Sequence, residues 1–281
     1  MIELLMLFIL SIIEARLPAD FYKSFHGNLD KSDKMSLPRI CGKHFLPKEI
    51  QGRSLGSIIV AEDEYPWTLA LTREAATCSA VLISRRHVLT AAHCVTFPGP
   101  KPKDKNAKCP YTVLRPSQIS IYPGKRVKDV LNIPLFTASF SVVNMTVHSR
   151  YDPCRRGGDI AILEISPNMF SEGSPICMPK FYQATPHQLM SAGFGLNPDH
   201  PGKGYLQAVN LTFKGISPYD EIETYTVDRI PCAGDSGGPL FAVIDGKYTL
   251  LGIAARSVAC LKNNKGWYVL KIRNAVVHQH Y

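Results

Sequence analysis

Apolar residues in this chain gather in short runs parted by glycine, proline and charged residues, and several runs are rich in β-branched and aromatic side chains. Trp67 to Leu71, Gln207 to Phe213, Pro239 to Ile244 and Tyr248 to Ala254 each have the length and residue types of a strand. Val81 to Ile83 and His87 to Thr90 continue the pattern. No long stretch repeats its apolar residues at the helical period, and there is no internal repeat, heptad run or low-complexity tract. The pattern therefore predicts an all-β protein. At 281 residues the chain could hold two average domains, although β-barrel proteins of this size commonly count as one. An apolar content of 45% supplies an ample core.

One apolar segment is different in kind. Leu4 to Ile13 is too short to span a bilayer and has the length of the hydrophobic region of a secretory signal. Its basic flank is missing, but Ile13 and Ala15 permit cleavage after Ala15, so residues 1–15 are expected to be a signal peptide and the protein secreted and extracellular. Removing them deletes only Glu3 and Glu14, which leaves 32 basic against 21 acidic residues and takes the formal charge from +9 to +11. Lys101, Lys103, Lys105 and Lys108 cluster in a Pro-containing stretch without interleaved aromatics, which reads as a solvated loop rather than a nucleic-acid or heparin site. Neither a nucleic-acid nor a membrane partner is expected. On a secretory route the N-x-T sequons at Asn144 and Asn210 become glycosylation candidates. The eight cysteines point to disulfides, with 105 possible pairings. Close Cys and His pairs do not recur at ligand spacing, so neither a metal nor a cofactor is expected.

The strongest chemical signal is GDSGGP, Gly234 to Pro239, with chance odds on the order of 10⁻⁵ or less. It sets Ser236 among glycines that let backbone amides converge on one point, as a developing oxyanion requires. A serine hydroxyl is a weak nucleophile without a base, and the base needs a group to orient it. His93 in LTAAHC and Asp159 at the head of DIAILEI are the candidates. The other eight histidines, His87 among them, lack such flanks and read as surface or packing residues.

TAAHC, DIAIL and GDSGGP in this chain order resemble the trypsin and chymotrypsin family of serine proteases; subtilisins and α/β-hydrolases order their triads differently. The resemblance runs from Pro66 to Tyr268 and takes in Pro66-Trp67, PICMP around Cys177 and SAGFG at Ser191 to Gly195. It implies two packed six-stranded antiparallel β-barrels with the active site between them. It further implies Ser236 as nucleophile, His93 as base and then acid, Asp159 as orienting carboxylate, and the Gly234 and Ser236 amides as oxyanion hole. Asp235 would pair with a new amino terminus after activation. The family pattern pairs Cys78 with Cys94, Cys232 with Cys260, and Cys41 with Cys177, the last tethering a propeptide; Cys109 and Cys154 are left as the remaining pair. Two bridges common in the family have no cysteines here at either end.

Two departures bear on what the protein does. Counting back from Pro66 puts the activating cut after Arg53, exposing Ser54 and SLGS, where the family usually presents isoleucine; a cut after Lys48 would expose EIQG. The propeptide is thus expected over 16–53, ending at 48 or 53, with the protease domain at 54–281. Six residues before Ser236, where trypsin-like members carry aspartate, this chain has Ile230, and an unpaired substrate ammonium there would cost several kcal/mol to desolvate. Ala255, Arg256 and Ser257 replace the usual SWG, with Gly266 on the opposite wall. The expectation is a secreted, monomeric serine endopeptidase, made as a zymogen and cleaving after apolar residues. Its partners would be protein or peptide substrates, an activating protease and protease inhibitors. The alternative is a catalytically impaired homologue acting as a secreted binding protein.

Overall fold

The structure, a computed structural model, describes residues 31–43, 58–61, 64–74, 76–155, 157–180, 183–197, 199–226, 232–256 and 272–276. The proposed signal peptide, both candidate cut sites (Lys48, and Arg53 with Ser54), Ile230, Ser257, Cys260 and Gly266 lie outside these residues, as does the Arg256 side chain.

Six antiparallel strands close the first barrel: β2 (Thr68–Arg73), β3 (Ala76–Leu82), β4 (His87–Thr90), β9 (Ala161–Ser166), β8 (Phe140–Val147) and β7 (Ile119–Pro123), in that order around the ring. Most of β2, β3 and β9 is buried on both faces, because one face fills the barrel and the other packs against the rest of the molecule. A short ribbon of β5 (Thr96–Pro98) and β6 (Tyr111–Val113) carries the lysine-rich insertion, where Lys101, Lys103 and Lys105 are exposed.

The second sheet joins β1 (Ile58–Ile59), β11 (Gln207–Ile216), β10 (Gln188–Gly193), β13 (Pro239–Ile244), β14 (Lys247–Arg256), β15 (Ile272–Val276) and β12 (Glu221–Tyr225). Pairing of β11 with β12 brings six of these strands into a ring, and β1 is added on the edge of β11 that β12 leaves open. The second unit is thus the expected six strands curled round, plus one.

Tyr65, Trp67, Phe241 and Tyr248 pack ring against ring with centroids 4.9 to 6.3 Å apart, and they join the strand that opens the first barrel to β13 and β14 of the second. Trp67 and Phe241 are fully buried. Leu189, Leu211, Ile222, Leu240 and Leu251 form a smaller core within the second ring.

One element escaped the sequence pattern. Helix α1 (Lys31–Ile40) is mostly polar and contains Pro38, and it is held by what it touches rather than by propensity. Leu37 packs on the main core, Lys247 Nζ donates to the Pro38 carbonyl at 2.7 Å, and Cys41 bridges to Cys177. Gly42 ends the helix at φ 66°, and a Cβ there would lie 2.6 Å from the Tyr248 carbonyl oxygen, so glycine is required on both counts.

Candidate active site

Register places the first two residues. Thr90, the last of β4, pairs with Ala161, the first of β9, so the chain leaving β4 and the chain entering β9 overhang the same end of the barrel. His93 rides the 3-10 turn Ala92–Cys94 just beyond β4, and Cys94 bonds back to Cys78 on β3. Asp159 stands two residues ahead of β9. Its Oδ1 accepts the His93 backbone N–H at 2.9 Å and its Oδ2 faces His93 Nδ1 at 2.8 Å. An ionised carboxylate only accepts, so Nδ1 carries the proton and Nε2 is left with its lone pair. The Asp159 side chain is 5% exposed against 37% for His93, so the carboxylate is spent on the imidazole while the imidazole still reaches solvent.

The GDSGGP loop lies across β3. The Ser236 carbonyl accepts the Ser79 amide at 2.8 Å and sits 3.6 Å from Cys94 Sγ, which brings Ser236 onto the elements that bear His93. Gly237, at φ 84°, makes this approach possible: a Cβ there would lie 2.2 Å from the Ser79 carbonyl oxygen and 2.2 Å from Thr90 Oγ1. Along the loop the amides of Asp235, Gly237 and Gly238 donate to the carbonyls of Cys232, Ala254 and Asp235. Among the described residues the amides of Gly234 and Ser236 have no acceptor.

A family model for trypsin matches residues 59–276. The chain belongs to the trypsin family. It is similar to Clotting factor C of Tachypleus tridentatus, 24% identical over 217 residues that cover 66% of this chain and 20% of that protein. The chain thus spans about a fifth of the length of that curated relative.

Within this trypsin-family domain, the Asp235 carboxyl is strongly perturbed. It is buried, and burial pushes its pKa up to about 6 against the pull of two N–H bonds, from Cys232 at 2.6 Å and Gly195 at 2.8 Å. Gly195 and Gly193 make room for it, since a Cβ on either would fall 2.3 Å from a carboxylate oxygen. His87 and His148 are packing histidines: burial depresses both to about 4, and His87 Nδ1 lies 2.7 Å from Ser84 Oγ.

Three bridges form among the described residues, Cys41–Cys177, Cys78–Cys94 and Cys109–Cys154; Cys232 is disulfide-bonded too, with its expected partner Cys260 outside them. Two groups, Cys78/His93/Cys94 and Cys109/Asp152/Cys154, gather potential metal-ligand atoms, but in each both sulfurs are consumed in a disulfide and offer no thiolate. No described helix is long and apolar enough to cross a membrane. Of the residues expected to line the specificity pocket, Ala255 is buried on β14 and the backbone of Arg256 pairs with that of Arg273 on β15. Asn144 is exposed on β8 with its Nδ2 3.2 Å from Glu164 Oε1, and Asn210 is half-buried on β11. Sequence reasoning missed Ser79, whose side chain reaches the loop of Ser236 across 155 residues of chain; a lone serine after Cys78 gives no signal of such a contact.

Proposed function

We propose that this chain is a secreted serine endopeptidase, made as a zymogen, that hydrolyses peptide bonds after apolar residues. Ser236 Oγ bonds to the scissile carbonyl carbon as His93 Nε2 takes its proton, and the carbonyl electrons move to oxygen. The Gly234 and Ser236 amides receive that oxyanion, a contribution of about 2.7 to 4 kcal/mol per donor in related chemistry. His93 then protonates the leaving amine, and water releases the acyl group by the same steps in reverse roles. Asp159 holds the imidazole in the tautomer that can accept. The observation that carries the reading is the double hold of Asp159 on His93, beside a loop in which the amides at 234 and 236 have no acceptor among the described residues.

Ile230 in place of an acid, with Ala255, Arg256, Ser257 and Gly266 as walls, supports a preference for apolar side chains. Disulfides of this number fit an oxidising compartment and hence secretion. A cut after Arg53 or Lys48 would free an ammonium for the buried Asp235 carboxyl. The protein acts as a monomer on protein or peptide substrates, open to an activating protease and to inhibitors.

Amino-terminal sequencing of the secreted, processed protein fixes the cut, and a fluorophosphonate probe tests competence. The expected result is labelling at Ser236 and burst release from an apolar ester, both abolished by Ser236→Ala. Processed protein that stays unlabelled while a control protease labels would overturn the proposal in favour of a binding protein on a protease scaffold.

A further inference from the structure

Ser79 is fully buried on β3, and every polar group it has is hydrogen-bonded to another part of the chain. Its amide donates to the Ser236 carbonyl at 2.8 Å, and its carbonyl accepts Thr90 Oγ1 at 2.9 Å. Its hydroxyl donates to the Gly234 carbonyl at 2.8 Å while accepting the Phe194 amide at 2.9 Å. The single hydroxyl proton has one destination, because the Phe194 amide is itself a donor. Three glycines leave space for this junction: a Cβ on Gly193, Gly237 or Gly238 would fall 3.0 Å from Ser79 Oγ, 2.2 Å from Ser79 O and 3.3 Å from Ser79 Cβ.

The four carbonyls from 233 to 236 are all held. Ala233 O accepts from Leu196 N, Gly234 O from Ser79 Oγ, Asp235 O from Gly238 N and Ser236 O from Ser79 N. A peptide is planar, so fixing the direction of its carbonyl fixes its N–H the opposite way. The Gly234–Asp235 peptide lies between the Gly234 and Ser236 amides, and Ser79 Oγ holds one end of it while Cys232 O holds its N–H. Gly234 itself sits at φ 100°, where backbone freedom is large. Without the hydroxyl this peptide is secured at its N–H alone and can tilt, which changes ψ of Gly234 and φ of Asp235 and so the angle between the two neighbouring peptides that carry the Gly234 and Ser236 amides.

We infer that the buried hydroxyl of Ser79 is a positioning residue for the oxyanion donors, acting through the Gly234 carbonyl. The inference rests on the endopeptidase reading above. Its signature is a transition-state effect with substrate binding spared.

The test compares Ser79→Ala with wild type in the processed, secreted protein, each corrected for folded fraction. Thr90→Val serves as control: it removes the buried hydrogen bond to the Ser79 carbonyl while keeping the side chain's shape where it packs beside Gly237. Ser79→Ala is expected to lower kcat about ten- to a hundredfold, short of the 10² to 10³ that deleting an oxyanion donor costs, with KM within about threefold. A peptide aldehyde, whose adduct with Ser236 carries the same oxygen, should weaken by the same factor, while a non-covalent apolar inhibitor keeps its affinity. Thr90→Val should lower the melting temperature and leave kcat within about twofold. Equal kcat in Ser79→Ala and wild type, a fall shared by Thr90→Val, or a loss of non-covalent inhibitor affinity to match would each overturn the inference. Wild type inert to substrate and probe overturns the endopeptidase reading instead, so the two failures are distinct.

Discussion

The barrel that carries His93 and the sheet that carries Ser236 solve the burial of a carboxylate in opposite ways. In the first, Asp159 is matched by His93 at two atoms, and both residues overhang strand ends whose register brings them together. In the second, Asp235 is buried with two backbone amides as its hydrogen-bond partners, and its pKa rises to about 6. One half pairs its buried carboxylate with a side chain; the other carries a carboxyl whose charge burial disfavours. That asymmetry is what a switch needs: a buried group whose protonation and pairing change while the fold around it stays.

The largest expected effect breaks the paired half. Asp159→Asn retains the shape but offers a donor where the imidazole needs an acceptor, so kcat of the processed protein should fall by about 10⁴ with KM little changed. Steady-state kinetics on an apolar peptide substrate would check this. A fall of only a few-fold would mean that Asp159 does not set the histidine tautomer.

The next effect concerns the frame. Cys109–Cys154 joins the lysine-rich insertion to the segment before Asp159, closing 45 residues. Replacing both cysteines by serine should cost roughly 4 kcal/mol in denaturant unfolding by loop entropy. If Asp159 is held by its barrel register, kcat should survive in the fraction that folds.

Acidity should separate the halves by sign. His87 and His148 titrate near 4 when folded against 6.5 in the reference state, so the unfolded chain binds more protons between these values and stability rises with pH there, by about 3 kcal/mol each. Asp235 titrates near 6 against 3.8, so the folded chain binds more protons and stability falls across that window, by about 3 kcal/mol. In the uncut protein His87→Gln should flatten the rise, and Asp235→Asn should remove the fall. After activation, an ammonium beside Asp235 should remove the fall without any substitution. Urea midpoints from pH 4 to 7 on cut and uncut protein would read all three.

Much of this was legible from residues, and the limits are physical. Pro239–Ile244 was readable to the residue as a strand, because a fully apolar run between glycine-bearing turns has few other uses. His93, Asp159 and Ser236 were readable as candidates because flanking motifs mark them, whereas the meeting of the first two depends on the Thr90 to Ala161 register. Ser79 was not readable, since its contacts lie across the interface of the two halves and no local pattern encodes them. Helix α1 was hidden for a related reason: its residues are polar, and its stability comes from Leu37, a disulfide and a lysine on β14. Sequence periodicity reports burial on a face, and this helix buries too little to register.

The smallest effect probes that helix against an open turn. Gly42 and Gly246 share nearly the same backbone, at φ 66° and 74°, but a Cβ on Gly42 meets the Tyr248 backbone at 2.6 Å whereas one on Gly246 meets nothing within 4 Å. Alanine at 246 should therefore cost only the left-handed penalty, roughly 1 to 2 kcal/mol. Alanine at 42 adds a backbone clash that cannot relax by rotating a side chain, and should cost more. The Cys41–Cys177 bridge keeps the segment attached, so the added cost should appear as undocking of α1, with its amides exchanging faster while β13 and β14 stay protected. Equal costs at the two glycines would mean that α1 already yields freely against β14 and contributes nothing to the half that holds Ser236.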